Sequence, residues 1–204
     1  MTGGPLSFEA FKINDMNAAV AFGAIDGDPF KAENYLAASA DLTIGEYGMA
    51  GGVFFGRSCS LDPIALIDPE VAGVLGAPPF TGAYLYGEAR LPINELIGIP
   101  STCMLNVVVG AGAGVFFFTE GPTIGGKLVG EVSGEALCLV SIGGRMSLVG
   151  VKEGFDLTSP MRFAGKGTLK GKVGACPFCV KFNKSVGVKF SASHGKISAP
   201  EVSY

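Results

Sequence analysis

Runs in which apolar and polar residues alternate recur along most of the 204-residue chain. Successive residues of a β-strand point to opposite faces of a sheet, so each run predicts a strand with one apolar side. Two short strands are expected at Phe8–Ile13 and Ala18–Ile25, and a hairpin at Asn34–Phe55. Longer runs follow at Phe80–Ile93, Lys127–Val140, Arg145–Lys152 and Met161–Ser193.

The clearest pattern is a hairpin between Met161 and Ser193, with its turn at Cys176-Pro177-Phe178-Cys179. Proline suits the first central position of a type I turn. A two-residue turn at Pro177-Phe178 makes the numbers of opposite residues sum to 355, which sets Gly165 against Phe190. One face is then apolar except at Lys184. Either the predicted register is wrong at that end of the hairpin, or the Lys184 side chain extends past the edge of the sheet. The other face collects Lys166, Lys170, Lys172, Lys181 and Lys189.

The segment Ser101–Thr119 has 19 residues without a charge, which is long enough for a transmembrane helix. Its Gly110–Gly114 run, its β-branched residues, Asn106 and the absence of nearby basic residues all favour a strand instead. We expect one long strand that is buried on both faces.

Two Asp-Pro pairs, Asp62-Pro63 and Asp68-Pro69, each place a capping residue before a proline suited to the first helical position. They predict short helical turns at Ile64–Ile67 and Glu70–Leu75, which end at Gly76 and lie across one end of the sheet.

Other local signals predict turns and the tail. Gly143-Gly144 is expected to be a two-residue hairpin turn. Asp26-Gly27-Asp28-Pro29 predicts a turn; alternatively, Asp28 before Pro29 caps a short helix through Lys31–Glu33. The segment His194–Tyr204 is expected to be a partly disordered tail.

The inferred strands after Ser101 run to roughly 12–18 residues, whereas strands of about 5–6 residues are usual. The fold class is therefore predicted to be all-β: a long-stranded antiparallel meander, curved or barrel-like, with a small helical insertion near residues 62–76. We expect a single β-rich domain over 1–204. The composition also allows a subdivision into an acidic half (1–100), a glycine-rich meander (101–193) and a tail (194–204).

Charged residues make up only 16% of the chain, and its mean hydropathy is +0.43. Either the core is unusually large or an apolar surface meets something else. Residues 1–102 contain 12 acids and four bases, and residues 103–204 contain six acids and 11 bases. Unless these are merely solvated faces, the two halves could complement each other within the chain or between head-to-tail copies.

The first residues lack the basic and apolar regions of a signal peptide.

The sequence offers little catalytic chemistry. Its one histidine, His194, lies in a polar segment, and no hydrolase, metalloprotease or phosphate-binding motif is present. Cys176 and Cys179 are candidates for a disulfide that closes the turn, for free thiols, or for metal binding. Thioredoxin-type chemistry is disfavoured because a strand, not a helix, follows Cys179. Zinc needs four ligands, and the remaining candidates are scattered. No catalytic residue, metal site or cofactor is predicted.

The lysine-rich face is a candidate surface for anionic lipid headgroups or another acidic partner, unless it simply keeps the strand solvated. Nucleic acid is disfavoured, because no aromatic residues interleave with the lysines and the net charge is −3. The leading hypothesis is a non-enzymatic structural or binding module that engages an apolar ligand, a lipid or a partner chain, including self-association into a larger assembly.

Two alternatives remain from the sequence. One is an outer-membrane-type β-barrel, although the absence of Trp argues against the usual aromatic girdles. The other is a metal-binding or thiol-redox protein that uses Cys176 and Cys179.

Overall fold

A computed structural model describes residues 2–3, 6–8, 11–25, 28–96, 98, 105–120, 123–154, 156, 158–174, 178–193 and 196–204. Every strand in these residues belongs to one antiparallel sheet, in which the nine long strands lie side by side in the order of the sequence. The nine long strands are β3 (Phe11–Ile25), β4 (Asp28–Ile44), β5 (Tyr47–Ser58), β6 (Phe80–Pro92), β7 (Leu105–Glu120), β8 (Thr123–Ala136), β9 (Val140–Glu153), β10 (Met161–Val173) and β11 (Val180–Ser193).

Four short strands complete the sheet at its two edges. Strands β1 (Thr2–Gly3) and β2 (Leu6–Phe8) pair with β3, and strands β12 (Lys196–Ile197) and β13 (Glu201–Ser203) pair with β11. The sheet is curved and does not close on itself, so the predicted all-β, long-stranded antiparallel meander is confirmed.

The predicted helical insertion is present between β5 and β6 as α1 (Asp62–Ile67) and α2 (Pro69–Ala72). Asp68 caps α2 as predicted, because its carboxylate accepts hydrogen bonds from the amides of Glu70 and Val71. The prediction that Asp62 caps α1 is wrong: Leu61 occupies the cap position and Asp62 lies in the first turn. A third short helix, α3 (Ile93–Leu96), follows β6.

No helix in the described ranges is both long and apolar enough to cross a bilayer.

Helices α1 and α2 lie against one face of the sheet, which we call the inner face; the opposite face is the outer face. We call the sheet end that carries α1 and α2 the upper end. Inner-face side chains meet across non-adjacent strands: Glu88 on β6 binds Arg145 on β9, and Asp41 on β4 lies 3.7 Å from Arg90 on β6. Such contacts across several strand spacings require the inner face to be concave.

The hydrophobic core occupies the upper half of the inner face, beneath α1 and α2. Ile64 and Val71 from the helices are fully buried there. Burial of a side chain of this size stabilises the folded state by about 1.5–3 kcal/mol. Four aromatic rings of the sheet pack in a chain of contacts with centroid separations of 5.2 to 6.1 Å. They belong to Phe54, Phe80, Phe116 and Phe118, and Tyr84 packs on Phe116.

The glycines of β7 and β8 make room for this core. A Cβ at Gly112 would lie 3.0 Å from Glu88, and one at Gly114 would lie 3.0 Å from the ring of Tyr84. On β8, a Cβ at Gly125 would lie 2.4 Å from the ring of Phe116. These glycines therefore leave the space that the large inner-face side chains occupy.

The prediction that β7 is buried on both faces is wrong. Its inner residues Phe116 and Phe118 are buried, but Val115 is 64% exposed on the outer face and Phe117 is 47% exposed. An uncharged strand indicated burial on both sides, yet nothing in the described chain covers its outer side.

The β10–β11 hairpin is confirmed, but its predicted register is wrong by two residues. Phe163 pairs with Phe190 and Val173 pairs with Val180, so the numbers of opposite residues sum to 353. The connection therefore has six residues between the last pair, not a two-residue turn. Since a shift of two preserves the faces, the five lysines still share one face, and Lys184 lies on the apolar side opposite Leu169.

The shifted register also changes the aromatic contacts. Phe163 stacks on Phe190 with centroids 4.9 Å apart, and Gly165 pairs with Val188 rather than with Phe190. A ring does cover a glycine on this hairpin, but at Gly171, which lies beneath Phe182.

Three local predictions are also wrong. Gly143-Gly144 lies inside β9, and the turn falls at residues 137–139, where Leu137 and Cys138 take the positive φ angles of 54° and 53° that usually indicate glycine or asparagine. Residues 31–33 belong to β4, so the alternative of a short helix there is wrong, and the turn predicted at Asp26-Gly27-Asp28-Pro29 lies partly outside the described residues. The expected short strands at Phe8–Ile13 and Ala18–Ile25 are instead β2 and one long strand, β3.

The expected tail is partly ordered as β12 and β13, which pair with β11. Its single histidine, His194, lies outside the described residues.

Candidate functional site

A buried ion cluster ties helix α2 to the sheet, and we call it the upper cluster. Lys127 Nζ lies 2.9 and 2.8 Å from the two carboxylate oxygens of Asp68. It also lies 2.7 Å from Glu70 Oε2, without hydrogen-bond geometry, so that contact is purely ionic. The side chain of Lys127 is 4% exposed and that of Asp68 is 2% exposed. Water therefore contributes little to the solvation of either charged group.

Asp68 connects three elements through one carboxylate. It caps α2, it binds Lys127 of β8, and it accepts a 2.7 Å hydrogen bond from the hydroxyl of Tyr84 on β6. The Lys127 ammonium also lies 5.2 Å from the centre of the Tyr86 ring, within the range of a cation–π contact. The upper cluster thus fixes the helical insertion over the inner face.

A second group of charges, the central cluster, lies below it on the inner face. Glu88 has a side-chain exposure of 2% and receives two hydrogen bonds of 2.7 Å from Arg145. Arg90 also contacts Glu88, at 3.1 Å. Glu131 lies 2.9 Å from Arg145 and 3.5 Å from Arg90. The hydroxyl of Tyr86 donates to Glu88 and links the two clusters.

A third ion pair lies at the upper rim of the sheet. Arg57 donates to both oxygens of Glu120, at 2.7 and 3.0 Å, and the hydroxyl of Thr81 donates to Glu120 at 2.6 Å. The hydrogen bonds from Arg57 and then Thr81 lower the pKa of Glu120 to about 2. The same bond to Glu120 raises the pKa of Arg57. This pair therefore stays charged at any ordinary pH.

The five lysines predicted as a basic face all lie on the inner face, in two separate grooves. Lys170, Lys172 and Lys181 line a groove of about 660 Å³ in the lower half of the sheet, which Glu131 and Glu135 also line. Lys166 and Lys189 line a second groove of about 410 Å³ beside α2. The surroundings are thus mixed in charge rather than purely basic, and an anionic partner stays a prediction.

The cysteine prediction is covered only in part. Cys179 is disulfide-bonded, as is Cys138, while Cys59 is a free thiol. Cys176 and Cys103 lie outside the described residues, so the use of Cys176 and Cys179 stays a prediction. Strand β11 begins directly after Cys179, as predicted, where a thioredoxin-type site would have a helix. Within the described ranges, no group of three or more His, Cys, Asp or Glu could hold a metal ion.

Neither ion cluster was predicted from the sequence. A signal was nevertheless available: Tyr84, Tyr86, Glu88 and Arg90 alternate on one side of β6, and Lys127, Glu131 and Glu135 do so on β8. The alternation shows that these charged residues share one side of the sheet, but not that this side is the concave one.

The outer face carries a continuous apolar surface over all nine long strands, which we call the outer band. Many of its large side chains are more than half exposed. Among them are Val20, Phe22, Phe55, Leu85, Val115, Leu128, Val132, Ile142 and Met146. Below the rim residues Arg57, Glu120 and Lys152, the one charged side chain that the described strands place in this band is Lys184.

Comparison with protein-family models, with curated protein sequences and with solved structures finds no match.

Proposed function

We propose that this chain is a non-enzymatic, membrane-embedded β-sheet module whose outer band contacts lipid chains and whose inner face lines a polar interior. The observation that carries the proposal is the outer band itself, an apolar surface that extends over nine strands with one charged residue below its rim. The largest apolar patch of a typical soluble monomer covers only about 300–600 Å². An apolar surface of this extent needs an apolar surrounding.

The dimensions of the band support a bilayer as that surrounding. On β7 the outer residues run from Leu105 to Phe117, which spans about 40 Å along the strand at the usual rise per residue. With the strand tilt of about 40° that is typical of membrane sheets, this corresponds to a height of about 30 Å. The hydrocarbon core of a bilayer has about the same thickness.

The distribution of charge supports the same orientation. The buried Lys127–Asp68 pair and the buried Glu88 with its partly exposed arginine partners lie on the concave side, while the convex side shows apolar residues. A sheet that folds in water buries its apolar face and exposes its charges. In a membrane, the polar side chains face the interior and the apolar side chains face lipid.

Aromatic residues mark one border of the band. Phe22, Phe55, Phe117, Phe163 and Phe190 lie on the outer face near the upper end of five different strands. A ring of aromatic residues at the membrane interface is typical of membrane sheets. Here the ring consists of phenylalanine. The absence of Trp argues only against the usual Trp-containing girdles, so the prediction from sequence missed this ring.

Lys184 is the exception in the outer band. It lies four residues from the lower end of β11, which begins at Val180. A lysine side chain near the end of a membrane segment extends its ammonium to the interface. One lysine at this position therefore fits the proposal.

This proposal joins two hypotheses drawn from the sequence, a module that engages lipid and an outer-membrane-type β-barrel. A small apolar ligand would cover only part of a surface that extends over nine strands. A metal-binding or thiol-redox role for Cys176 and Cys179 has less support, since β11 rather than a helix follows Cys179.

Adjacent residues of β8 provide a matched test. Val132 is 53% exposed on the outer face, and Ser133 lies on the inner face in the lower groove. In lipid vesicles, Val132→Lys is expected to lower the free energy of unfolding by about 2–4 kcal/mol, since it places a charge among lipid chains. Ser133→Lys introduces the same side chain one residue away and is expected to cost less than about 1 kcal/mol. Equal effects of the two variants would refute the proposal.

A further inference from the structure

The two edges of the sheet are each covered along one half only. On β3, the described edge partners are β2 at Phe11–Ile13 and β1 at Met16–Asn17, which cover the lower half. On β11, they are β13 at Gly187–Lys189 and β12 at Ala192–Ser193, which cover the upper half. Within the described residues, Ala19–Phe22 of β3 and Val180–Val186 of β11 have no strand partner on that side.

The directions of these strands fit together. Since nine antiparallel strands lead from β3 to β11, those two strands run in the same direction. Strands β1 and β2 pair antiparallel to β3, and strands β12 and β13 pair antiparallel to β11, so all four run from the upper towards the lower end. Each pair of short strands covers the half that the other pair leaves open.

We propose that β1 and β2, end to end with β12 and β13 from the other edge, form one composite tenth strand between β3 and β11, and that this strand closes the open sheet into a ten-stranded barrel. The inference rests on the proposed function, because an open strand edge leaves backbone groups without partners in lipid. Direct pairing of β3 with β11 would be parallel. A tenth strand makes every pair antiparallel, and single-chain outer-membrane barrels have an even number of strands.

The two faces of the sheet continue into β12 and β13. Val202 pairs with Val188 and Ile197 pairs with Ala192, both positions of the outer face. Glu201 pairs with Lys189, a position of the inner face. The numbers of paired residues sum to 389 in β12 and to 390 in β13, so the register shifts by one residue between these two strands, and each of them then presents its apolar residue outward and its polar residues inward.

Charge complementarity favours the same closure. Asp15 on β3 pairs in register with Asp41 on β4 in the lower half of the sheet. Lys172 and Lys181 pair with each other in the lower half of β10 and β11. Asp41 already lies 3.7 Å from Arg90, so Asp15 is the carboxylate that closure through one additional strand brings to the same side of the interior as Lys172 and Lys181, where opposite charges attract.

Disulfide trapping tests the closure directly in the upper half. In a Cys59→Ser background, which removes the thiol that is free among the described residues, Ile197→Cys or Val202→Cys is combined with Val20→Cys or Phe22→Cys. Neighbouring antiparallel residues have Cα atoms about 4.5–5.5 Å apart, which a disulfide can span. Ala21→Cys, on the inner face of β3, is the matched control. Each pair is folded into lipid vesicles, oxidised mildly and followed on non-reducing gels, with the bond mapped by mass spectrometry.

The proposal predicts an intramolecular disulfide for at least one outer-face pair, seen as a shift of the monomer band, and none for the Ala21→Cys pairs. A disulfide-linked dimer would show that the edge pairs with a second copy, and the absence of any cross-link would show that it stays open. Either result overturns the closure. The Val132→Lys and Ser133→Lys comparison is read in the same vesicles, so failure of closure and failure of membrane embedding are distinguishable.

Discussion

The substitution Lys127→Met is expected to destabilise the protein strongly, because it removes the only cation of the upper cluster. Lys127 holds Asp68 at 2.8 Å and Glu70 at 2.7 Å, and its side chain is 4% exposed. Methionine preserves most of the side-chain volume but leaves two carboxylates without a counter-charge beneath α2. The loss is therefore electrostatic rather than a loss of packing.

The size of the expected loss of stability follows from the contacts that Asp68 keeps in the variant. Removing one partner of a buried ion pair costs about 3–5 kcal/mol. Asp68 keeps hydrogen bonds from Tyr84 and from the amides of Glu70 and Val71, which places the expected cost near the lower limit, at about 3 kcal/mol. With an m-value of about 2 kcal/mol per molar urea, the unfolding midpoint is expected to fall by about 1.5 M.

Urea unfolding in lipid vesicles, followed by circular dichroism, measures this shift. Lys170→Met is the matched control, since Lys170 is exposed on the same face and has no ion pair within the described residues; its effect is expected to stay within about 0.5 kcal/mol. Adding Glu70→Gln to Lys127→Met removes one of the two unpaired charges and should restore part of the loss. Equal midpoints for Lys127→Met and Lys170→Met would refute the role given to the upper cluster.

Two further substitutions test the packing of the inner face. Gly125→Ala is expected to lower the free energy of unfolding by about 1–3 kcal/mol through overpacking, because its Cβ would lie 2.2 Å from a backbone oxygen of β9. Gly130→Ala on the same strand is the control, since its Cβ meets nothing within 4 Å and the change should be nearly neutral. Thermal unfolding of the two variants measures the difference. Tyr84→Phe removes the hydrogen bond to Asp68 and is expected to cost about 1.5–3 kcal/mol by urea titration, and an unchanged midpoint would show that this bond contributes nothing.

The all-β meander could be predicted from the sequence because its signals are local. Alternation at Lys127–Val140 or around Tyr84 reflects the two faces of a strand, and an Asp-Pro pair such as Asp68-Pro69 contains its own helix start. Register is less local. The two-residue error at Val173–Val180 arose because the loop length was inferred from proline alone, and a shift of two leaves the pattern of faces unchanged.

The candidate site could be predicted only in outline. The sequence shows that Glu88 and Lys127 each lie on the polar side of a strand, but not that curvature brings Glu88 to Arg145 three strands away. Nor does it show which side of the sheet is concave, and the outer band depends on that choice. The turn at Leu137 was missed because positive φ angles there are held by the flanking strands rather than by a glycine.

Fluorescence quenching of single tryptophans tests the central claim most directly, because the chain contains no natural Trp. Leu128→Trp and Met146→Trp place the probe on the outer face, and Lys170→Trp places it on the inner face. In vesicles that contain brominated lipids, we expect strong quenching of the two outer probes and little quenching of the inner probe, which iodide in the water should quench instead. Quenching of all three by iodide, with none by brominated lipid, would contradict the account.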